Sequence, residues 1–123
     1  MRALIVDDSS FMRNFLRAML EKKGIACADA GDGQSALDLL HASAPFDFAL
    51  VDWNMPVMNG LEMLRRVRAE GFSDMKVMMV TTEVETESIV KALDAGADEY
   101  LMKPFDDEAL SEKLALIGLA EEA

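Results

Sequence analysis

The chain has a single cysteine, Cys27, so no disulfide can form within it. Its place in a short apolar stretch makes a buried, inert thiol the expectation. Aromatic residues make up only 7% of the 123 positions and hydrophobic residues 51%, so the core must be assembled from Leu, Val, Ile, Ala and ten Met. Basic residues are scarce: 12 Lys and Arg stand against 23 Asp and Glu, a formal charge of −11. That deficit argues against nucleic acid or anionic membrane as a direct partner, since both would be repelled, and favours a cation or a partner with a basic patch. No apolar run is long enough to cross a bilayer, and the opening MRALIVDDSS puts acids where a signal peptide would continue its apolar region. The expectation is a soluble cytoplasmic protein forming one domain over residues 1–123.

What the chain does have is a regular alternation. Residues 2–7 (RALIVD) are a short apolar run ending in Asp7 and Asp8. Ser9 or Ser10 can then cap a helix on which Phe11, Met12, Phe15, Leu16, Met19 and Leu20 recur at helical spacing until Gly24. A weaker strand over 25–29 leads through Gly31 and Gly33 to a helix at 34–43, closed by Pro45. The stretch FDFALVDWNMPVMNG over 46–60 reads as a strand buried on both faces that stops at Asp52 and breaks into turn formers. A helix over about 60–69 places Leu61, Leu64 and Val67 inward and Arg65, Arg66 and Arg68 largely outward. The run KVMMVT ends in Thr81, a helix covers 84–95, a fifth strand spans 99–102 before Lys103-Pro104, and Asp106 caps a last helix using Leu110, Leu114 and Ile117. Met55, Met58, Met63, Met78, Met79 and Met102 are expected to fill core and loop gaps. Five strands alternating with five helices predict an α/β fold, a doubly wound parallel sheet covered on both faces.

In such a sheet all carboxyl ends share one edge, where ligands bind. Asp7, Asp8, Asp52, Thr81 and Lys103 would therefore converge. Clustered carboxylates repel unless a cation joins them, and oxygen donors suit Mg²⁺. Asp8 and Asp52 are expected to hold it mainly, with Asp7 helping directly or through water and the Asn54 carbonyl as a further ligand. An ammonium, a hydroxyl and Mg²⁺ together can neutralise three oxygens of a phosphoryl group, which makes a carboxylate, Asp52, the natural acceptor. Singly, each residue has a plainer role: an acid at a strand end caps the next helix, and a lysine before proline is a solvated turn residue. The set and its positions carry the argument.

VDD at 6–8, VDWNMPVMNG at 51–60, Thr81 and Lys103-Pro104-Phe105 resemble the motifs of bacterial two-component response regulator receiver domains over nearly the whole chain. The resemblance implies a flavodoxin-like five-stranded sheet of order 2-1-3-4-5. It implies Asp52 as phosphoacceptor from a histidine kinase, Asp7, Asp8, Asp52 and the Asn54 carbonyl around Mg²⁺, and Thr81 and Lys103 on the phosphoryl group. It also implies a cis Lys103-Pro104 bond, although few X–Pro bonds are cis. Trp53 and Asn54 beside the acceptor, Glu83 two residues after Thr81, and a chain ending at its last helix make the protein similar to a stand-alone, monomeric receiver of the chemotaxis type. In that family the positions of Asn54 and Glu83 tune dephosphorylation, and an aromatic at Tyr100 turns inward as the threonine moves. The surface read by a downstream protein is the fourth helix, fifth strand and fifth helix, with Lys91, Glu99 and Tyr100; a phosphatase is a further partner. Thr82 departs from the smaller residue usual there.

Two other readings compete: a receiver-fold module that binds without being phosphorylated, and a phosphohydrolase with an aspartyl intermediate. The second lacks the acid that haloacid dehalogenase-type enzymes place two residues after the nucleophile, where this chain has Asn54. A phosphorelay intermediate is a further placement of the same chemistry. His41 is expected to be a surface residue rather than a phosphodonor.

Overall fold

Alternating strands and helices of similar length can bury their apolar faces only by wrapping the helices over both sides of one sheet. The computed structural model, which describes residues 1–43, 45–82 and 86–119, has this form. The elements are β1 (Arg2–Val6), α1 (Ser10–Lys22), β2 (Ala26–Ala30), α2 (Gly33–Ser43), β3 (Phe48–Asp52), α3 (Gly60–Ala69), β4 (Lys76–Thr81), α4 (Thr86–Asp94), β5 (Glu99–Met102) and α5 (Asp107–Leu116). All strand pairs are parallel and the order is β2-β1-β3-β4-β5. The doubly wound α/β expectation is met, and every expected element is present with its ends shifted by at most a few residues.

Period-two alternation divides the core in two. Leu4, Val6, Ala49, Val51, Val77 and Met79 join Leu37, Leu40, Met63, Leu64, Val67 and Ala92 from α2, α3 and α4. Ala3, Ile5, Phe48, Leu50, Met78 and Val80 join Leu16, Leu20, Leu110 and Leu114 from α1 and α5. β3 is buried at every position because both its neighbours and both faces are covered. Three helices start as the capping rules require: Ser9, Asn59 and Asp106 each accept a hydrogen bond from the third residue on.

Two expectations, those for Cys27 and Arg68, are corrected, and α1 buries less than its apolar spacing offers. On α1 only Leu16 and Leu20 are buried, while Phe11 is 77% exposed and stacks on Phe15, because the apolar stripe is wider than the face the sheet covers. Cys27 is half-buried rather than buried, since β2 is an edge strand, and that burial raises its thiol pKa above the ordinary value.

Arg68 does not point outward. Its guanidinium donates to the carbonyls of Phe72 and Met75 (both 2.7 Å) and Gly96 (2.8 and 3.0 Å), and to Asp98 Oδ2 at 3.0 Å. Asp98 Oδ2 in turn accepts the Val77 N–H at 2.8 Å. One side chain thus fastens the α3–β4 connection to the turn before β5. Arg68→Ala is expected to lower stability by about 2–3 kcal/mol, as charge-assisted hydrogen bonds to partly buried carbonyls are lost. Urea unfolding at pH 7 measures this; an unchanged midpoint would mean that water replaces the guanidinium at no cost.

Candidate phosphoryl and metal site

The register brings the strand ends together. Val6 pairs with Val51, Asp52 with Val80 and Thr81 with Met102, so the residues that end β1, β3, β4 and β5 lie along one edge. Main-chain bonds continue the ladder just past it: Asp7 N donates to Ala30 O, Trp53 N to Val80 O and Lys103 N to Thr81 O. The Lys103-Pro104 bond is cis, as the resemblance implied.

At this edge Asp7, Asp52 and Thr81 are buried polar residues. Asp7, Asp8 and Asp52 each offer a carboxylate oxygen within 4.8 Å of the others. Asp7 is the buried acid of the adjacent pair and Asp8 the exposed one. Asp7 Oδ1 accepts the Ser9 N–H at 2.9 Å, while among the described residues its Oδ2 has no hydrogen bond, although Lys103 Nζ lies 3.6 Å away. A buried carboxylate oxygen left in that state is costly unless a cation completes it. All donors are oxygens, so the cluster fits Mg²⁺ or another hard divalent ion.

Lys103 Nζ donates to Asp52 Oδ1 at 3.1 Å and so faces two carboxylates. Burial is the first cause of a raised Asp52 pKa, the Asp7 charge is the second, and Lys103 opposes both. Lys103→Met is expected to cost about 1–3 kcal/mol at pH 7, less than for a fully buried pair because the lysine is partly exposed. Without the ammonium the folded-state pKa of Asp52 rises further. The deficit should therefore narrow as pH falls and Asp52 protonates, and urea midpoints of variant and wild type at pH 7 and pH 5 test it.

Thr81 closes β4 and borders a small hollow of about 10 Å³ with Trp53, Met79, Ile89, Ala92 and Tyr100. Tyr100 is half-buried; Lys113 Nζ lies 4.2 Å from its ring centroid and 3.1 Å from Glu99 Oε1. Asn54 and Lys91 are exposed. Thr82 is exposed and lines a hollow of about 400 Å³ with Met12, Phe15, Lys103, Pro104 and Phe105. Glu83 lies outside the described residues. His41, near the end of α2, is exposed and bonds Glu70 through Nε2 at 2.6 Å.

Arg13 is a residue at this edge that hydrophobic spacing does not reveal. Its Nη1 donates to the Asp7 carbonyl at 2.6 Å and its Nε to Asp29 Oδ2 at 2.8 Å. The signal available in the sequence is its spacing: a long cation four residues after the cap Ser9 can reach back over the first turn to the strand end.

The family model described as the response regulator receiver domain matches residues 3–115. The chain is 44% identical over 119 residues to the chemotaxis protein CheY of Pseudomonas aeruginosa, covering 95% of each. It is 43% identical to a CheY homologue of Campylobacter jejuni, covering 93% of this chain and 89% of that one. Among solved structures, Vibrio cholerae chemotaxis protein CheY4 superposes with a TM-score of 0.89 at 34% identity, covering 94% of this chain and 97% of the other. The receiver domain of the Francisella response regulator 1452 gives 0.86 at 28% identity, covering 94% of each.

Proposed function

The chain belongs to the response regulator receiver domain family, in its CheY-like chemotaxis branch, and from that premise we propose that Asp52 accepts a phosphoryl group from a histidine kinase. The observation that carries this reading is the buried acid Asp7 with an orphan oxygen, set beside an Asp52 that Lys103 already engages. An Asp52 oxygen attacks the phosphorus of a phosphohistidine, the P–N bond breaks, and the imidazole leaves with the electron pair. Lys103 stays by the acceptor and, with the Thr81 hydroxyl, takes two phosphoryl oxygens. Asp7, Asp8, Asp52 and the Asn54 carbonyl would hold Mg²⁺, which supplies charge neutralisation for the transferring group. The domain is a phosphoacceptor switch rather than an enzyme that turns over a separate substrate.

The switch we infer runs from Thr81 to Tyr100. Both residues border one hollow with room for about a single water, so the aromatic ring would turn inward only as the threonine moves toward the phosphoryl group and vacates its place. Turning would pull Tyr100 from Lys113 and change the surface of α4, β5 and α5, where Lys91, Glu99 and Tyr100 meet the downstream protein. Asn54, two residues after the acceptor, and Glu83, two residues after Thr81, would set how fast water or a phosphatase removes the group. We take residues 1–123 as one receiver domain acting as a monomer. No helix among the described residues is long and apolar enough to cross a membrane, which agrees with a cytoplasmic place beside the kinase.

Incubation with acetyl phosphate and Mg²⁺ tests the reading. One phosphoryl group should appear on the intact protein, map to Asp52 after borohydride trapping, and vanish in EDTA. Labelling at another residue, or none in millimolar Mg²⁺, would leave a receiver fold that works by contact alone.

A further inference from the structure

We propose that Arg13 is a positioning residue for the metal site, holding the Asp7–Asp8 peptide in place by gripping the Asp7 carbonyl and the Asp29 carboxylate at once. The role rests on the metal reading above, and it comes from a side chain that touches none of the carboxylates facing Asp52. Arg13 Nη1 reaches the Asp7 carbonyl at 2.6 Å, a short charge-assisted bond, while its Nε holds Asp29 Oδ2 at 2.8 Å. The other oxygen of Asp29 is bound by Arg17 Nη2, also at 2.8 Å, so the anchor is itself fixed on both sides. Asp29 belongs to β2 and pairs in register with Ile5 of β1. The guanidinium further packs on Gly31, where an added Cβ would come within 3.3 Å of Nη1.

The consequence falls on Asp8. Asp7 has its own restraint, the Ser9 N–H on Oδ1, but among the described residues no hydrogen bond holds the Asp8 carboxylate. Its placement near Asp7 and Asp52 therefore depends on the backbone, and the peptide that carries it begins at the carbonyl Arg13 grips. A metal whose ligands must meet in a near-octahedral set loses affinity when one ligand wanders, and partners of ligands commonly govern affinity in this way.

Charge alone predicts the opposite effect, which makes the sign of the result decisive. A cation bonded to the Asp7 carbonyl repels Mg²⁺, so deleting it would tighten binding if electrostatics were all that mattered. If Arg13 positions the peptide, deleting it weakens binding instead.

The test is Mg²⁺ titration of the full chain followed by fluorescence of Trp53, the single tryptophan, which is adjacent to Asp52. It compares wild type, Arg13→Ala and Arg13→Lys, with urea unfolding in EDTA alongside. Arg13→Ala is expected to bind Mg²⁺ about tenfold more weakly. Arg13→Lys keeps the charge but lacks the fork that reaches both oxygens, and should fall between the two. Unchanged or tighter binding in the variants, whatever happens to the urea midpoint, overturns the proposal and leaves Arg13 a fold support. If Arg13→Ala does not unfold cooperatively, Arg13→Lys decides by the same criterion. A wild type with no Mg²⁺ response overturns the metal reading, and the positioning role with it; a wild type that binds alongside unaffected variants overturns the role of Arg13 alone.

Discussion

Asp52→Asn is expected to abolish phosphoryl incorporation from acetyl phosphate or a phosphorylated kinase and, without metal, to make the protein more resistant to urea. The first effect follows because an amide is not a nucleophile toward phosphorus. The second follows from where the carboxylate sits. Burial and the neighbouring charge of Asp7 raise the Asp52 pKa above its ordinary 3.8 despite Lys103. A carboxyl whose pKa is higher in the folded state binds its proton more tightly there, so its ionised form opposes folding. That penalty is fully present above the folded-state pKa and absent below 3.8, which predicts that the stability gap between variant and wild type closes as the solution is acidified through that interval. Mg²⁺ should reverse the order at neutral pH: an ion bound only to the folded wild type adds about 2.7 kcal/mol at a hundred times its Kd, and the variant has lost one of three carboxylates. Retained labelling would place the acceptor elsewhere. A variant less stable than wild type in EDTA would mean that the Lys103 contact outweighs the crowding of acids.

The same crowding explains why this site is legible in a sequence at all. An apolar run does not end in an acid without reason, and β3 is buried at all five positions up to and including Asp52. The parallel topology then forces Asp7, Thr81 and Lys103 onto the same edge, so convergence could be read before any coordinates. Three things could not. Which of Asp7 and Asp8 is buried depends on how the chain leaves β1, and period-two alternation gives no answer for a strand covered on both faces. Helical spacing predicts a largely outward Arg68, but spacing fixes only the direction of Cβ, and a long side chain can turn back to reach carbonyls of the next loop. Val57 adopts φ 67° in the loop after β3, and a β-branched residue is among the last that sequence rules would place in left-handed backbone. Each miss concerns what side chains or strained backbone do beyond the element that carries them, and Arg13, which ties α1 to two strands, is of the same kind.

Gly60→Ala is expected to be the most damaging small substitution in the chain, costing about 3 kcal/mol, near the upper end of what one overpacked methyl does. Gly60 opens α3 just after the cap Asn59, and its N–H donates to the Trp53 carbonyl at 3.0 Å. A Cβ there would overlap the Asp52 carbonyl oxygen and stand 2.8 Å from Met79 Cε and 3.0 Å from Trp53 Cα. Two of those three neighbours are backbone of the strand end that carries the acceptor, so the strain cannot be relieved by a side-chain rotation. The helix must move off the strand, or Asp52 must move relative to Asp7 and Lys103. Against the 5–15 kcal/mol that holds a domain of this kind together, the loss is large. Gly71→Ala isolates the cause. Gly71 has φ 93° with nothing within 4 Å of an added Cβ, so alanine there meets only the backbone penalty, about 1–2 kcal/mol. Urea unfolding should rank Gly60→Ala below Gly71→Ala, and Mg²⁺ affinity should fall only in the former, because only its clash lies against the strand end of Asp52. Equal losses at the two glycines, or normal Mg²⁺ binding in Gly60→Ala, would show that α3 can slide without disturbing the acceptor.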